Sequence, residues 1–281
     1  MRFLRLAFLS VWVPAVFAPA LGAASLEVVR AVISQSDGGP PDPAGFVHVA
    51  GETLFFTCRV ANFAKSPEEK VHLSYTVEAF DPLGAALNEI YKNEISDEVT
   101  PQDRDWLPKI ETEIPTPPLG PTGAYKIVVK VQDLIGNTTA ELSVPFQVRG
   151  HAVEPSATLT VRNFQFFRGE DDTQPLEKAA YHPGDAVWAK FDIVGYKLGD
   201  KNSIDVSYVT SLISPEGKVM WTQPDPAVDR DASFYPKRYV SATMGITLLK
   251  DTRPGVYNIG VQLKDGIGKQ TAEAKFAFTL E

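Results

Sequence analysis

The chain contains a single cysteine among 281 residues, which excludes an intramolecular disulfide. A cysteine left over in this way pairs with another chain, acts as a reactive thiol or is simply buried. Cys58 alternates with Leu54, Phe56 and Val60 along one stretch of sequence. Alternation of this kind places a row of side chains on the buried face of a β-strand. We therefore predict a buried, structural thiol.

Known catalytic motifs are also missing. The sequence has no His-Glu-x-x-His, no Gly-x-Ser-x-Gly and no Gly-rich phosphate loop. Its four histidines, His48, His72, His151 and His182, do not have the spacing of metal ligands. We expect no cofactor, no metal and no enzymatic activity, although carboxylates that meet only in the folded chain stay an open alternative.

Positive charge is scarce. The chain has 27 Lys and Arg against 35 Asp and Glu, a net charge of −8. Two of the basic residues, Arg2 and Arg5, stand at the very N-terminus. Phosphate backbones and anionic membranes reward clustered Lys and Arg, so this balance argues against nucleic acid and membrane surfaces as partners.

Long apolar runs are limited to the N-terminus. A basic start at residues 2–5 precedes an apolar stretch over 6–18, and small residues at 18–20 or 21–23 suit signal peptidase. Pro14 interrupts the stretch and Pro19 follows it, which argues against a retained membrane anchor. We predict a signal peptide over residues 1–23 and export to the periplasm, the cell envelope or the extracellular space. No other stretch has the ~20 apolar residues of a membrane span.

What the sequence does contain is a long internal repeat. Residues 51–58 return as 184–191, an offset of 133, and later matches fall at an offset of 132. Repeats of solenoids and propellers recur at roughly 20 to 50 residues, so a unit of this length is a domain. We predict two domains, over residues 24–149 and 157–281. The short polar linker 150–156 would hold them end to end with limited bending.

Each copy has the pattern of short strands separated by turns. The segments 81–84 and 214–217 carry Pro second and Gly fourth, which is typical of type I turns. Tyr125 and Tyr257 each follow a glycine by two residues at the start of a strand. That placement predicts a tyrosine corner, in which the phenol hydroxyl bonds back to nearby backbone. No helical periodicity of useful length is present.

About seven strands per copy and the two tyrosine corners resemble immunoglobulin-like or fibronectin type III-like β-sandwiches of the bacterial extracellular kind. The resemblance implies an all-β chain of two tandem antiparallel sandwiches. Antibody-type domains differ, because this chain has no cysteine pair and Trp188 lies on the parity opposite the buried row. A shared sandwich does not determine function.

Acidic triplets provide one candidate metal site. Asp103-Arg104-Asp105 recurs as Asp229-Arg230-Asp231, each shortly before a Pro-Lys pair. Closely spaced Asp residues in loops are a beginning of a calcium site. The alternative is a solvated turn with an internal ion pair, and the sequence leaves this open.

Aromatic residues on the outward parity of the strands provide the candidate contact site. Exposed rings on a sandwich face stack on sugars or anchor a protein partner. The competing interpretation is that the connections 85–121 and 218–252 cover these rings and bury them. The candidate residues are Phe55, Trp106, Trp188, Tyr196, Trp221, Phe234 and Tyr235.

The sequence thus predicts a non-enzymatic exported protein that binds a protein or glycan partner as an adhesion, spacer or accessory module. A carbohydrate-binding module using Trp106, Trp188 or Trp221 is the first alternative. A protease-inhibitor-like sandwich is the second, with the proline-rich segment 114–118 as its exposed loop.

Overall fold

The fold is all-β. A computed structural model describes residues 25–103 and 105–281, so the predicted signal peptide and Arg104 lie outside the described residues. The described residues form seventeen strands and two short 3-10 helices, Pro101–Asp103 and Asp200–Asn202. Within the described ranges, no helix has the length and apolarity needed to cross a bilayer.

Residues 25–149, here the N-terminal half, form two sheets. The smaller sheet has the order β1-β3-β6 and the larger has the order β2-β8-β7-β4-β5. Only β2 and β8 pair in parallel among these strands. The strands are β1 Glu27–Ser34, β2 Val47–Val49, β3 Thr53–Ala61, β4 Lys70–Phe80, β5 Tyr91–Glu98, β6 Lys109–Pro115, β7 Gly123–Asp133 and β8 Thr138–Arg149.

Residues 157–281, the C-terminal half, repeat this order. The smaller sheet is β9-β11-β15 and the larger is β10-β17-β16-β12-β13, with β14 also paired to β12. The parallel pair β10 and β17 takes the place of β2 and β8. The strands are β9 Thr160–Phe167, β10 Ala180–Tyr181, β11 Ala186–Val194, β12 Ile204–Ile213, β13 Val219–Thr222, β14 Ala227–Asp231, β15 Val240–Thr247, β16 Gly255–Asp265 and β17 Gln270–Leu280.

Each half encloses its own hydrophobic core between its two sheets. The predicted inward row on β3 is confirmed, because Leu54, Phe56, Cys58 and Val60 are all buried. Apolar side chains at every second position all lie on one face of the strand. Their removal from water on that face stabilises the strand. Burial also raises the pKa of the Cys58 thiol to about 12. The thiol is therefore structural, as predicted.

The tyrosine corners are confirmed in both halves. The hydroxyl of Tyr125 donates to the carbonyl oxygen of Pro121 at 2.7 Å. In the same way, the hydroxyl of Tyr257 donates to the carbonyl oxygen of Arg253 at 2.9 Å. Each corner also packs a glycine against the preceding turn. A Cβ on Gly123 would lie 2.6 Å from the ring of Pro82, which explains the absence of a side chain there.

A buried aspartate closes the turn between the last two strands of each half. The carboxylate of Asp133 accepts the backbone N–H groups of Ile135 and Gly136 at 2.9 Å through Oδ1, and that of Ala64 at 2.6 Å through Oδ2. Asp265 makes the same three kinds of bond and also accepts from Gln270 at 3.3 Å. Both turns thereby connect to a second loop far away in sequence.

Candidate functional site

The outer face of the larger sheet in the N-terminal half is concave and polar. Strands β4, β5, β7 and β8 line a concavity of about 870 Å³. Its outward residues follow directly from strand alternation, because the inward neighbours on the same strands are core residues. Those outward residues are Ser74, Thr76, Lys92, Glu94, Lys130, Gln132, Thr139 and Glu141.

The C-terminal half has a concavity of about 560 Å³ at the same place on its larger sheet. Strand register makes the two faces equivalent, since Ser74 pairs with Gln132 as Ser207 pairs with Lys264. Sequence reasoning missed both faces by following the aromatic residues. The pattern that would have found them is the polar parity of the repeat, on which Ser, Thr and Glu recur at the offsets of 133 and 132.

Charge on these faces is mixed rather than of one sign. Nζ of Lys130 lies 3.9 Å from the carboxylate of Glu141, and Glu94 accepts from His72 at 2.9 Å. In the C-terminal half, the amide of Gln262 donates to Glu273 at 3.1 Å. These pairs are solvent-exposed, so each contributes little to stability and is free to exchange partners. Such a face offers hydrogen-bond donors and acceptors in alternation.

The candidate aromatic residues do not form one site. Phe55 and Trp188 lie on the outer faces of the smaller sheets, on the side of each half opposite the concavity. Trp188 is half-buried because its ring lies on Gly245 of the neighbouring strand, where a Cβ would come within 2.5 Å of the indole. Phe234 is the exposed member of the set, at 53%.

The other candidate rings serve packing. Trp106 meets Phe63 edge to face at 6.0 Å against the N-terminal core, and Trp221 packs on the C-terminal core. The hydroxyl of Tyr196 donates to the carbonyl oxygen of Lys237 at 2.7 Å, and burial raises its pKa above the ordinary value. Tyr235, although it belongs to the C-terminal half, packs against the N-terminal core.

The expectation that the long connections cover the aromatic faces holds only in part. The connection 85–121 contains β5 and β6, and 218–252 contains β13, β14 and β15. These segments extend the sheets at their edges instead of forming a further layer. Residues of the connection 218–252 nevertheless contact two of the outward rings: Gly245 of β15 lies against Trp188, and the carbonyl oxygen of Lys237 accepts from the Tyr196 hydroxyl.

The two acidic triplets are not equivalent, which corrects the sequence interpretation. Asp229 to Asp231 lie within strand β14, where Arg230 contacts Asp205 at 2.9 Å and Asp229 pairs with Lys237. Asp103 ends a 3-10 helix and accepts from Thr100 at 2.6 Å, while Asp105 is exposed. Over the described ranges, no three His, Cys, Asp or Glu side chains converge as a metal site.

The segment 114–118 is tied down and does not protrude, so the predicted inhibitor loop is wrong. Ile114 is a core residue at the end of β6, and Thr116 is buried. The Thr116 hydroxyl donates to the carbonyl oxygen of Glu52 at 2.7 Å and accepts from the backbone N–H of Gly51 at 3.0 Å. A reactive loop needs the opposite, an extended segment held away from the body of the domain.

Comparison with known proteins adds little. No protein-family model and no curated protein sequence matches the chain. Among solved structures, it is similar to a family 123 glycoside hydrolase from Clostridium perfringens, studied for glycolipid glycan hydrolysis. That match has 13% identity and a TM-score of 0.27, and covers 44% of this chain and 27% of the hydrolase. At that level, neither activity nor substrate transfers to this chain.

Proposed function

We propose that the chain is an exported, non-enzymatic protein of two tandem immunoglobulin-like sandwiches that binds a protein partner through the outer faces of its larger sheets. The observation that carries this proposal is the recurrence of a concave polar face in both halves, built from register-equivalent residues. Two such faces on one chain suit an adhesion, spacer or accessory module of a cell envelope.

The chemistry of the face favours a protein over a glycan. Sugar recognition on sheet faces relies on a flat aromatic ring that is open to the ligand. In the N-terminal half, Phe80 lies on the outer face of the larger sheet, but Nζ of Lys126 sits 5.6 Å above its ring. The outward residues that line the concavity carry hydroxyl, amide and charged groups, which match the polar rim of a protein interface.

Site-specific photo-crosslinking tests the proposal. A photoreactive residue at Thr76 or Gln132 reports on the concavity, and one at Thr57 or Glu113 reports on the smaller sheet of the same half. In native envelope extracts we expect a discrete protein adduct from the first pair and none from the second. Lys130→Glu should weaken that adduct. Equal labelling from both faces would show that the concavity is not the binding surface.

Carbohydrate binding is the second candidate, and one observation favours it. Three atoms of the six-membered ring of Trp188 lie within 2.7 Å of the position that a Cβ on Gly245 would occupy, so the ring covers this glycine on the outer face of the smaller sheet. Titration with polysaccharides while tryptophan fluorescence is recorded separates the two candidates. A saturable change that Trp188→Ala abolishes supports the glycan candidate, and a flat titration supports the protein candidate.

A further inference from the structure

A buried carboxylate stands at the end of the N-terminal half that faces the C-terminal half. The Asp81 side chain is fully buried, at 0% exposure. Its Oδ1 accepts the backbone N–H groups of Leu83 and Ala85, at 2.9 and 2.8 Å, within its own turn. These two bonds leave Oδ2 to be satisfied by other groups, because an ionised carboxylate without partners is costly to bury.

The partners of Oδ2 come from the other half. Nη1 of Arg238 lies 2.6 Å from Oδ2, and the hydroxyl of Tyr235 donates to it at 2.7 Å. Arg238 also donates to the Tyr235 hydroxyl at 2.8 Å, and its guanidinium lies over the Tyr235 ring. The two donors therefore also contact each other within the C-terminal half.

The contact is built on the tyrosine corner of the N-terminal half. Burial, followed by the negative charge of Asp81, raises the pKa of Tyr125 to about 12. Tyr125 holds the backbone of Pro121, and Thr122 next to it donates to the carbonyl oxygen of Gly150 at 3.0 Å. The corner, the acidic turn and the first linker residue are thus parts of one surface.

The linker is fixed on its other side as well. His151 contacts the buried carboxylate of Asp192 at 2.7 Å, and Asn163 donates both to Asp192 and to the carbonyl oxygen of Ala152. The hydroxyl of Ser241 also donates to the carboxylate of Asp192, at 2.8 Å. A linker anchored at consecutive residues on both sides has little freedom to bend.

The repeat itself shows that the acidic turn is specialised. The residue equivalent to Asp81 in the C-terminal half is Ser214, at the offset of 133. Ser214 caps its own turn by accepting the backbone N–H of Lys218 at 3.2 Å. A serine is therefore sufficient for the turn, and the carboxylate appears in the copy whose turn contacts the other half.

We propose that Asp81, Tyr235 and Arg238 form an interdomain lock that holds the two halves in one fixed orientation, whichever partner the outer faces bind. A buried ion pair is weak evidence for stability but well suited to specify geometry, since removing one partner strands the other charge. The lock aligns the two concave faces relative to each other, so a partner that spans both meets a preset spacing.

Distance measurements between spin labels test the lock in the full-length mature chain. Labels on Glu98→Cys and Lys275→Cys report on the two halves, both positions being exposed, while buried Cys58 is protected from labelling. We expect a single narrow distance distribution that broadens in Asp81→Ser. This substitution inserts the residue that the second copy already uses in the same turn.

Two further variants make the test specific. Arg238→Ala removes the partner from the other half and should broaden the distribution like Asp81→Ser, even if the latter perturbs its own turn. Arg230→Ala removes an ion pair of similar length, with Asp205, that stays within the C-terminal half, and should leave the distribution narrow. A distribution that stays narrow in both Asp81→Ser and Arg238→Ala, or broadens equally in Arg230→Ala, overturns the proposal.

Discussion

The buried aspartate of the last turn provides the sharpest stability prediction. Asp133→Ala removes an acceptor for three backbone N–H groups, two in its own turn and one from Ala64 across the sandwich. The bond to Ala64 joins a charged acceptor at 2.6 Å and is worth roughly 1.5–3 kcal/mol, and the two turn bonds add about 0.5–1.5 kcal/mol each. Together these bonds predict that the N-terminal half loses about 2.5–6 kcal/mol.

The amide variant separates the turn from the cross-connection. Asp133→Asn keeps an oxygen for Ile135 and Gly136 but turns an NH2 group toward the N–H of Ala64. The bond to Ala64 is lost while the two turn bonds keep an acceptor, so the expected cost falls to about 1.5–3 kcal/mol. The order of stability should be wild type, Asp133→Asn, Asp133→Ala.

The assay must resolve each half, because one unfolding free energy is poorly defined for a chain with two cores. Hydrogen exchange of peptides from β7 and β16 during a urea series follows the two halves separately. Asp133→Ala should lower protection of β7, and Asp265→Ala should lower that of β16. A loss below about 1 kcal/mol in β7 would refute the reasoning, since it would mean that water replaces the carboxylate at no cost.

Three shorter predictions follow from individual side chains. The pKa values of Tyr125 and Tyr181 are raised from 10.0 to about 12, so their stabilising contribution is complete below pH 10 and is lost as the pH rises through 12. Alkaline unfolding, followed by tyrosinate absorbance and circular dichroism, should fall in that window. Cys58 should resist Ellman's reagent at pH 8 until urea unfolds the chain, and rapid reaction of the native protein would contradict its burial. Gly245→Ala should cost about 1–3 kcal/mol in thermal unfolding, because its Cβ would lie 2.5 Å from the Trp188 ring, and the cost should largely vanish in a Trp188→Ala background.

Much of the fold was accessible from sequence because strand alternation and turn chemistry are local. The parity of Leu54 and Phe56 identified the inward face of β3, and the glycine-tyrosine spacing identified both corners. These features depend on a few neighbouring residues and on a period of two, so no knowledge of the tertiary structure is needed.

The candidate site was less accessible for a physical reason. Whether an outward ring is open depends on what lies beside it on the next strand, as the position of Trp188 on Gly245 shows. The curvature that makes the polar face concave is likewise a property of several strands together. The acidic triplet at Asp229 looked like a loop because its spacing matched Asp103, whereas pairing with β12 places it in a strand.

Differences between the two copies carry information that their similarities do not. Positions that hold each sandwich together recur, as with Asp133 and Asp265. Two of the departures between the copies fall at the junction of the halves: Asp81 binds Arg238 where the second copy has Ser214. Asp192 likewise binds the linker residue His151 where the first copy has Arg59. A substitution that served only the sandwich would be free to occur in either copy, whereas a joint requires complementary changes on its two sides. That Asp81 and Asp192 both bind residues at the junction therefore supports the proposed lock.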